Sequence, residues 1–302
     1  MVGVFRRSLS FPNKINTNRP SSAKTTISHH VRSISLPCRS HPLISQLEDE
    51  INKLNSWASK PEARTSSWLC DGLSSLKTVH DYLDDVLQLP QTQETLRKHC
   101  HALWVEKLLE DFLRFVDVYG IFQTSVLGLR EVHSAAQVAT RKRDESKVVT
   151  YVKARKQMAK EMGKLVSSIR CVGVPTISDA VAVDEIELVG VIGDVIEATV
   201  LVSVALFNGI SASFASRKSS RMGLGLSKKA KKVKVEESIL EFQQVGLQSL
   251  WGLRKKSDEE VKMALKKMQD FERCIGDIEN GSGRVFRGLI SARVSLLNAL
   301  TQ

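Results

Sequence analysis

Two short stretches of the chain carry its clearest chemical pattern. Arg7-Ser8-Leu9-Ser10-Phe11-Pro12 and Arg32-Ser33-Ile34-Ser35-Leu36-Pro37 both take the form R-S-x-S-x-P. An arginine three residues before a serine suits a basophilic kinase. A phosphate on Ser10 or Ser35 would carry nearly two negative charges into an arginine-lined groove, while the following proline turns the chain out of it. This is the form that 14-3-3 proteins read, so Ser10 and Ser35 are the expected phospho-acceptors, with Arg7, Pro12, Arg32 and Pro37 as determinants. The serines stand 25 residues apart. A flexible tether of that length averages roughly 25 to 30 Å, which lets both grooves of one dimer be engaged and strengthens the second contact by effective concentration. A single Arg/Ser/Pro match is commonplace in a basic tail, and the duplication is what sets this one apart.

The second pattern is Lys228-Lys229-Ala230-Lys231-Lys232 with Lys234. It reads as a nuclear-import patch, as a polybasic segment for anionic lipid at about 1 kcal/mol per lysine near the surface, or as a solvated linker. Other chemistry-bearing residues do not converge. His99, Cys100 and His101 are adjacent, and on a helix adjacent side chains point about 100° apart, which prevents them from sharing one ion. Asp84 and Asp85 diverge in the same way and are expected on a solvated helix face rather than as a general acid and base. Gly223-Leu224-Gly225 and Gly281-Ser282-Gly283 match neither phosphate-binding glycine motif, and no G-x-S-x-G elbow is present. The five cysteines, at 38, 70, 100, 171 and 274, are odd in number and form no CxxC pair, which suits reduced thiols better than a disulfide framework or a zinc ribbon. No catalytic residue, cofactor site or metal site is expected.

The formal charge of +11 comes from 44 basic against 33 acidic residues, and its placement decides what it means. Residues 1–47 hold seven bases and 217–234 hold eight, neither with an acid, so the remainder has 29 bases against 33 acids. A mildly acidic folded part offers no net attraction to a phosphate backbone, and specific nucleic-acid binding is not expected.

These residues must be positioned by helices. Residues 1–40 are Ser-, Arg-, Asn- and Pro-rich without apolar periodicity, which predicts a disordered basic tail. The same composition fits an organellar transit peptide. Leu43, Ile44, Leu47, Ile51 and Leu54 then recur at helical spacing, as do Trp68 to Leu87 up to Pro90. An apolar stripe runs from about Gln91 to Ala139, a length of about 70 Å as one helix, with Gly120 and Gly128 as expected bends or breaks. Val148 to Ile169 forms another amphipathic stretch. Between Glu197 and Arg217 lie 19 consecutive uncharged residues, enough to cross a bilayer. Their serines, threonine and asparagine equally suit a buried central helix. Val235 to Leu253 is expected to be helical, and Ser257-Asp258-Glu259-Glu260 is a capping box. The helix it opens is expected to stop at Asn280-Gly281, with a last helix over Val285–Leu300. Nothing alternates with period two, so the fold class is all-α: an elongated multi-helix bundle comprising a tail (1–40), an N-terminal helical part (41–216), a basic linker (217–234) and C-terminal helices (235–302) in the same bundle. The tryptophans at 57, 68, 104 and 251 are assigned to core or interface packing.

Several dispersed blocks, RSHPLISQLEDEINKL (39–54), LSSLKTVHDYLDDVLQLPQTQETL (73–96), WVEKLLEDFLRFVDVYG (104–120) and VFRGLISARVSLLNAL (285–300), resemble the plant-specific BYPASS-related family, a domain of unknown function. The resemblance runs from about Ser33 to the C-terminus. It implies a plant protein, a helical fold and a role in root and shoot development, with no established enzymatic activity, no known cofactor and no functional residue to transfer. The N-terminal extension ahead of the first block has no counterpart in that pattern.

Taken together, the residues lead to an expectation of a non-enzymatic interaction or adaptor protein, cytoplasmic, with phosphorylation acting on the tail. The alternative is a membrane-associated regulator held by the 198–216 run and the lysines after it. Nuclear and membrane-surface locations, and import into an organelle, stay open, as do the kinase, the partner and the oligomeric state.

Overall fold

The computed structural model describes residues 41–59, 64–173, 183–215, 238–245 and 250–301. The tail motifs and the lysine patch lie outside them. Helix α1, Pro42–Ser59, buries Ile44, Leu47, Ile51 and Leu54, the stripe its spacing predicts. Helix α2, Ser66–Leu87, opens on Thr65, whose side chain accepts from the Trp68 amide at 3.0 Å, and ends where Leu89 turns extended ahead of Pro90. Pro90 itself begins α3, Pro90–Lys98, where its missing N–H costs nothing. Five further helices complete the described residues: α4, Leu103–Arg141; α5, Ser146–Arg170; α6, Val183–Phe214; α7, Leu240–Gln244; and α8, Asp258–Thr301. No strand occurs among them, in agreement with the all-α expectation.

Three boundaries differ from the sequence expectation. The break in the long stripe falls at His99–Ala102, where Ala102 is extended, and α4 continues unbroken through Gly120 and Gly128. A helical glycine costs about 1 kcal/mol relative to alanine, much less than burying Phe112, Phe115, Tyr119, Phe122 and Val126 along the same helix. Asn280-Gly281 does not stop α8. A Cβ on Gly281 would stand 3.1 Å from Leu73 Cδ1, so this glycine serves close approach of α2 rather than termination. The third difference lies at 235–253, where the described residues hold only the five-residue α7 and a 3-10 turn at Leu253–Lys255.

All described residues belong to one compact unit, Leu36–Gln302. Helix α8 packs along α2 and α4, α4 along α5, α5 along α6, and α6 back against α2 and α1, so that the long helices enclose one continuous core. The aromatic residues Phe112, Phe115, Tyr119, Phe122, Phe207 and Phe271 are buried in it. Trp57 stacks on Trp68, with centroids 4.1 Å apart, and donates its indole N–H to the Trp68 carbonyl at 2.9 Å. Trp104 is buried, whereas Trp251 is 40% exposed.

Candidate functional site

The residues singled out from the sequence, Ser10, Ser35, Arg7, Pro12, Arg32, Pro37 and Lys228, Lys229, Lys231, Lys232 and Lys234, all lie outside the described residues. What the structure does show is how the chain is gripped where it returns after them. The Ile239 amide donates to Ser213 Oγ at the end of α6 (2.8 Å), and the Leu240 amide donates to the Arg64 carbonyl (3.1 Å). Glu241 accepts from both the amide (2.9 Å) and the hydroxyl (3.0 Å) of Ser66. A carboxylate thereby satisfies one free amide at the positive end of α2.

Arg155 of α5 holds the other side of this strap. It is 4% exposed and donates to the carbonyls of Phe242 (3.0 Å) and Val245 (2.9 Å). Its guanidinium lies over the rings of Phe214, Tyr151 and Phe271 at 4.5, 5.6 and 5.7 Å. A cation over π faces and at the carbonyl end of a helix is favourably placed on both counts. Burial lowers the affinity of the guanidinium for its proton relative to water and pushes the Tyr151 phenol up to about 12. Downstream, Arg143, at φ 54 in the α4–α5 turn, donates to the Leu253 and Lys256 carbonyls at 3.2 and 2.7 Å and pairs with Asp258 at 2.5 Å. Glu145 accepts from the Leu253 amide at 3.0 Å. Two arginines and two glutamates thus fasten the connection between α6 and α8 to the bundle.

The polar residues of the uncharged run are used inside the core. Thr199 donates to the Val195 carbonyl (2.7 Å) and Ser203 to the Thr199 carbonyl (2.6 Å). His80 Nε2 therefore donates to Thr199 Oγ1 (2.9 Å), and the Tyr119 hydroxyl donates to Ser203 (3.0 Å). This assignment leaves His80 Nδ1 unprotonated and unpartnered. Burial lowers the His80 pKa to about 3 and raises that of the Tyr119 phenol. Although a hydroxyl beside an imidazole has the composition of a nucleophile and its base, here the ring donates, the hydroxyl proton goes to a carbonyl, and both residues are 1% exposed. The pair ties α2 to α6. Ser211 extends the pattern by donating to the Ala159 carbonyl of α5 at 2.9 Å. By length and composition alone, α4 and α6 are both apolar enough to cross a membrane.

Asp84 departs from the solvated role expected of it, since it accepts from Ser291 at 3.1 Å and also from Ser295, both on α8. Asp85 stays exposed. His99, Cys100 and His101 lie at the α3–α4 connection rather than within a helix, and no group of three metal-type side chains gathers among the described residues. Cys70 and Cys274 are both half-buried on facing helices, with Cys274 Sγ 3.2 Å from Ser66 Oγ. Burial, reinforced by the nearby Asp277 carboxylate, pushes the Cys70 thiol up to about 11 and raises Cys274 as well, so neither offers a ready thiolate. The cleft beside them, about 330 Å³ and lined by Ser66, Ser67, Cys70, Asp277, Asn280 and Arg284, is open to solvent.

Sequence reasoning missed Arg155 and Glu241. The signal for Arg155 was its place within Tyr151, Arg155, Met158 and Met162, a stripe otherwise apolar at core spacing. No comparable signal marks Glu241, whose role depends on a contact 175 residues distant in sequence.

A search of curated proteins and a search of solved structures each return no match. The family model described as Protein BPS1 matches residues 72–299, from within α2 to the end of α8. That span takes in the His80–Thr199 pair, the Arg155 latch and the α2–α8 contact, and the chain belongs to the Protein BPS1 family.

Proposed function

We infer that this chain is a non-enzymatic regulatory adaptor in plant root and shoot development, whose helical bundle presents a phosphorylation-controlled N-terminal tail to 14-3-3 proteins. The observation that carries the reading is the duplication of R-S-x-S-x-P around Ser10 and Ser35, spaced so that one dimer can take both. The bundle supports it indirectly. The residues best able to do chemistry, His80 with Thr199 and Arg155 with the Phe242 and Val245 carbonyls, are buried and employed in joining helices. Affinity capture from plant extract, with mass spectrometry, compares the intact protein with the Ser10→Ala, Ser35→Ala variant. Retention of 14-3-3 proteins by the first and their loss from the second is the expected result. Equal capture, or capture unchanged by phosphatase, removes the tail from the account.

Anchoring through the 198–216 run is the weaker reading. To span a bilayer, α6 would have to give up His80, Tyr119 and the Ala159 carbonyl as partners and expose Thr199 and Ser203 to hydrocarbon. Retention of the protein in the pellet after alkaline carbonate extraction would reinstate it.

A further inference from the structure

Helix α5 has a second face, opposite the one that holds Arg155. Lys153, Lys156, Lys160 and Lys164 are all exposed, and at 100° per residue they fall within about 80° of arc along about 16 Å of helix. No exposed acid lies between Ser146 and Arg170. Glu161, the one carboxylate of α5, is occupied by Ser125 of α4 (2.9 Å) and Gln157 (3.0 Å). On the other flank, α6 contributes no charged residue from Ala198 to Phe214. The four lysines therefore form a ridge of positive charge on a rigid element, with no ion pair to them among the described residues, and Val149, 40% exposed, lies one turn before Lys153 on the same face.

We propose that this α5 ridge docks the bundle on an anionic phospholipid surface. The charge calls for an anionic partner, and the composition selects among partners. Lysine is a point charge on a flexible stem, suited to a layer of mobile headgroups, whereas nucleic-acid faces favour arginine forks and stacking aromatics, which this face does not have. An acidic helix would need an apolar seam at helical spacing between the charges. The ridge has lysines there, flanked by Gln157 and Gly163. An exposed aliphatic in line with the lysines, as Val149 is, is what a peripheral surface presses into the headgroup boundary. The inference goes beyond the tail-based adaptor reading and stands on different residues, so the two can fail separately.

The test is vesicle co-sedimentation of the full chain on mixed phosphatidylcholine–phosphatidylserine vesicles and on pure phosphatidylcholine. Binding is expected only with the mixed vesicles and falls as salt is raised. Each Lys→Gln change is expected to weaken it about fivefold, and Lys153→Gln, Lys156→Gln, Lys160→Gln and Lys164→Gln together by at least about a hundredfold. These side chains are exposed, so an unchanged thermal midpoint verifies that the variant is folded. A parallel variant carrying Lys228→Gln, Lys229→Gln, Lys231→Gln, Lys232→Gln and Lys234→Gln separates the ridge from the other lysine-rich segment. Full retention by the α5 variant with loss in the parallel one overturns the proposal. Equal binding to neutral vesicles overturns it too, as does binding of duplex DNA without binding of either vesicle.

Discussion

Arg155 on α5 donates to the Phe242 carbonyl of α7 across 3.0 Å, inside a cage of three aromatic rings. That bond fixes the strap: one guanidinium reaches the carbonyls of both Phe242 and Val245, at the C-terminal end of α7. Charge-assisted bonds of this kind contribute about 1.5 to 3 kcal/mol each. Arg155→Ala is expected to cost about 3 kcal/mol in urea unfolding. Arg155→Lys should recover only part of it, because an ammonium does not reproduce the planar fork that reaches both carbonyls. Hydrogen exchange at Phe242 to Val245 should accelerate in both variants. Wild-type exchange there would show that the strap is held by its apolar side chains alone.

Glycines on helices divide by what faces them. At Gly72, a Cβ would overlap the indole ring of Trp57, and at Gly276 a Cβ would meet nothing within 4 Å. Gly276→Ala is expected to stabilise by about 0.5 to 1 kcal/mol through reduced backbone entropy. Gly72→Ala is expected to destabilise by about 1 to 3 kcal/mol and to disturb the Trp57–Trp68 stack, seen as altered tryptophan fluorescence. If both alanines shift the thermal midpoint upward, the close approach of Trp57 to α2 is not a constraint.

The same distinction shows what was legible in the sequence. Periodicity located α1, α2 and α5, because each has a one-sided set of apolar residues, and α6 was legible as an uninterrupted apolar run. It could not tell that Gly281 faces Leu73, since a glycine that ends a helix and one that admits a neighbour are written identically. Nor could it separate the apolar spacing of Ile239, Phe242 and Val245 from that of a longer helix, because the group that holds this segment is an arginine more than 80 residues away. The buried ladder from His80 to Tyr119 was half visible. The polar residues of the 198–216 run were noticed, but their partners come from α2 and α4, and only the fold brings them together.

Helix α8 begins with a reciprocal cap. Ser257 Oγ accepts from the Glu260 amide at 3.3 Å, and Glu260 accepts from the Ser257 amide at 2.9 Å. Ser257→Ala should cost about 1 kcal/mol, measured by thermal unfolding, and Ser257→Asp should restore most of it. The cap sits beside the Arg143–Asp258 pair, so a loss well above that figure would mean that the serine also holds the α4–α5 turn in register.

His80 makes stability depend on pH in a definable window. Burial lowers its pKa from 6.5 to about 3, because a second proton, on the unpartnered Nδ1, would place an unsolvated charge in the core, and the Lys77 cation nearby disfavours it further. The folded protein keeps the ring neutral while the unfolded chain takes up a proton below pH 6.5. The unfolded state then binds more protons, and stability falls as the pH is lowered. The contribution is fully present above pH 6.5 and is lost on descending toward pH 3, at a rate approaching about 1.4 kcal/mol per pH unit for one proton. His133, lowered in the same direction mainly by burial, steepens the fall below pH 6.5. In His80→Gln the amide can still donate to Thr199, and urea unfolding across the window should show a slope shallower by about one proton. An unchanged slope would mean that the His80 ring is already protonated in the fold, which would require the α2–α6 contact at Thr199 to admit water.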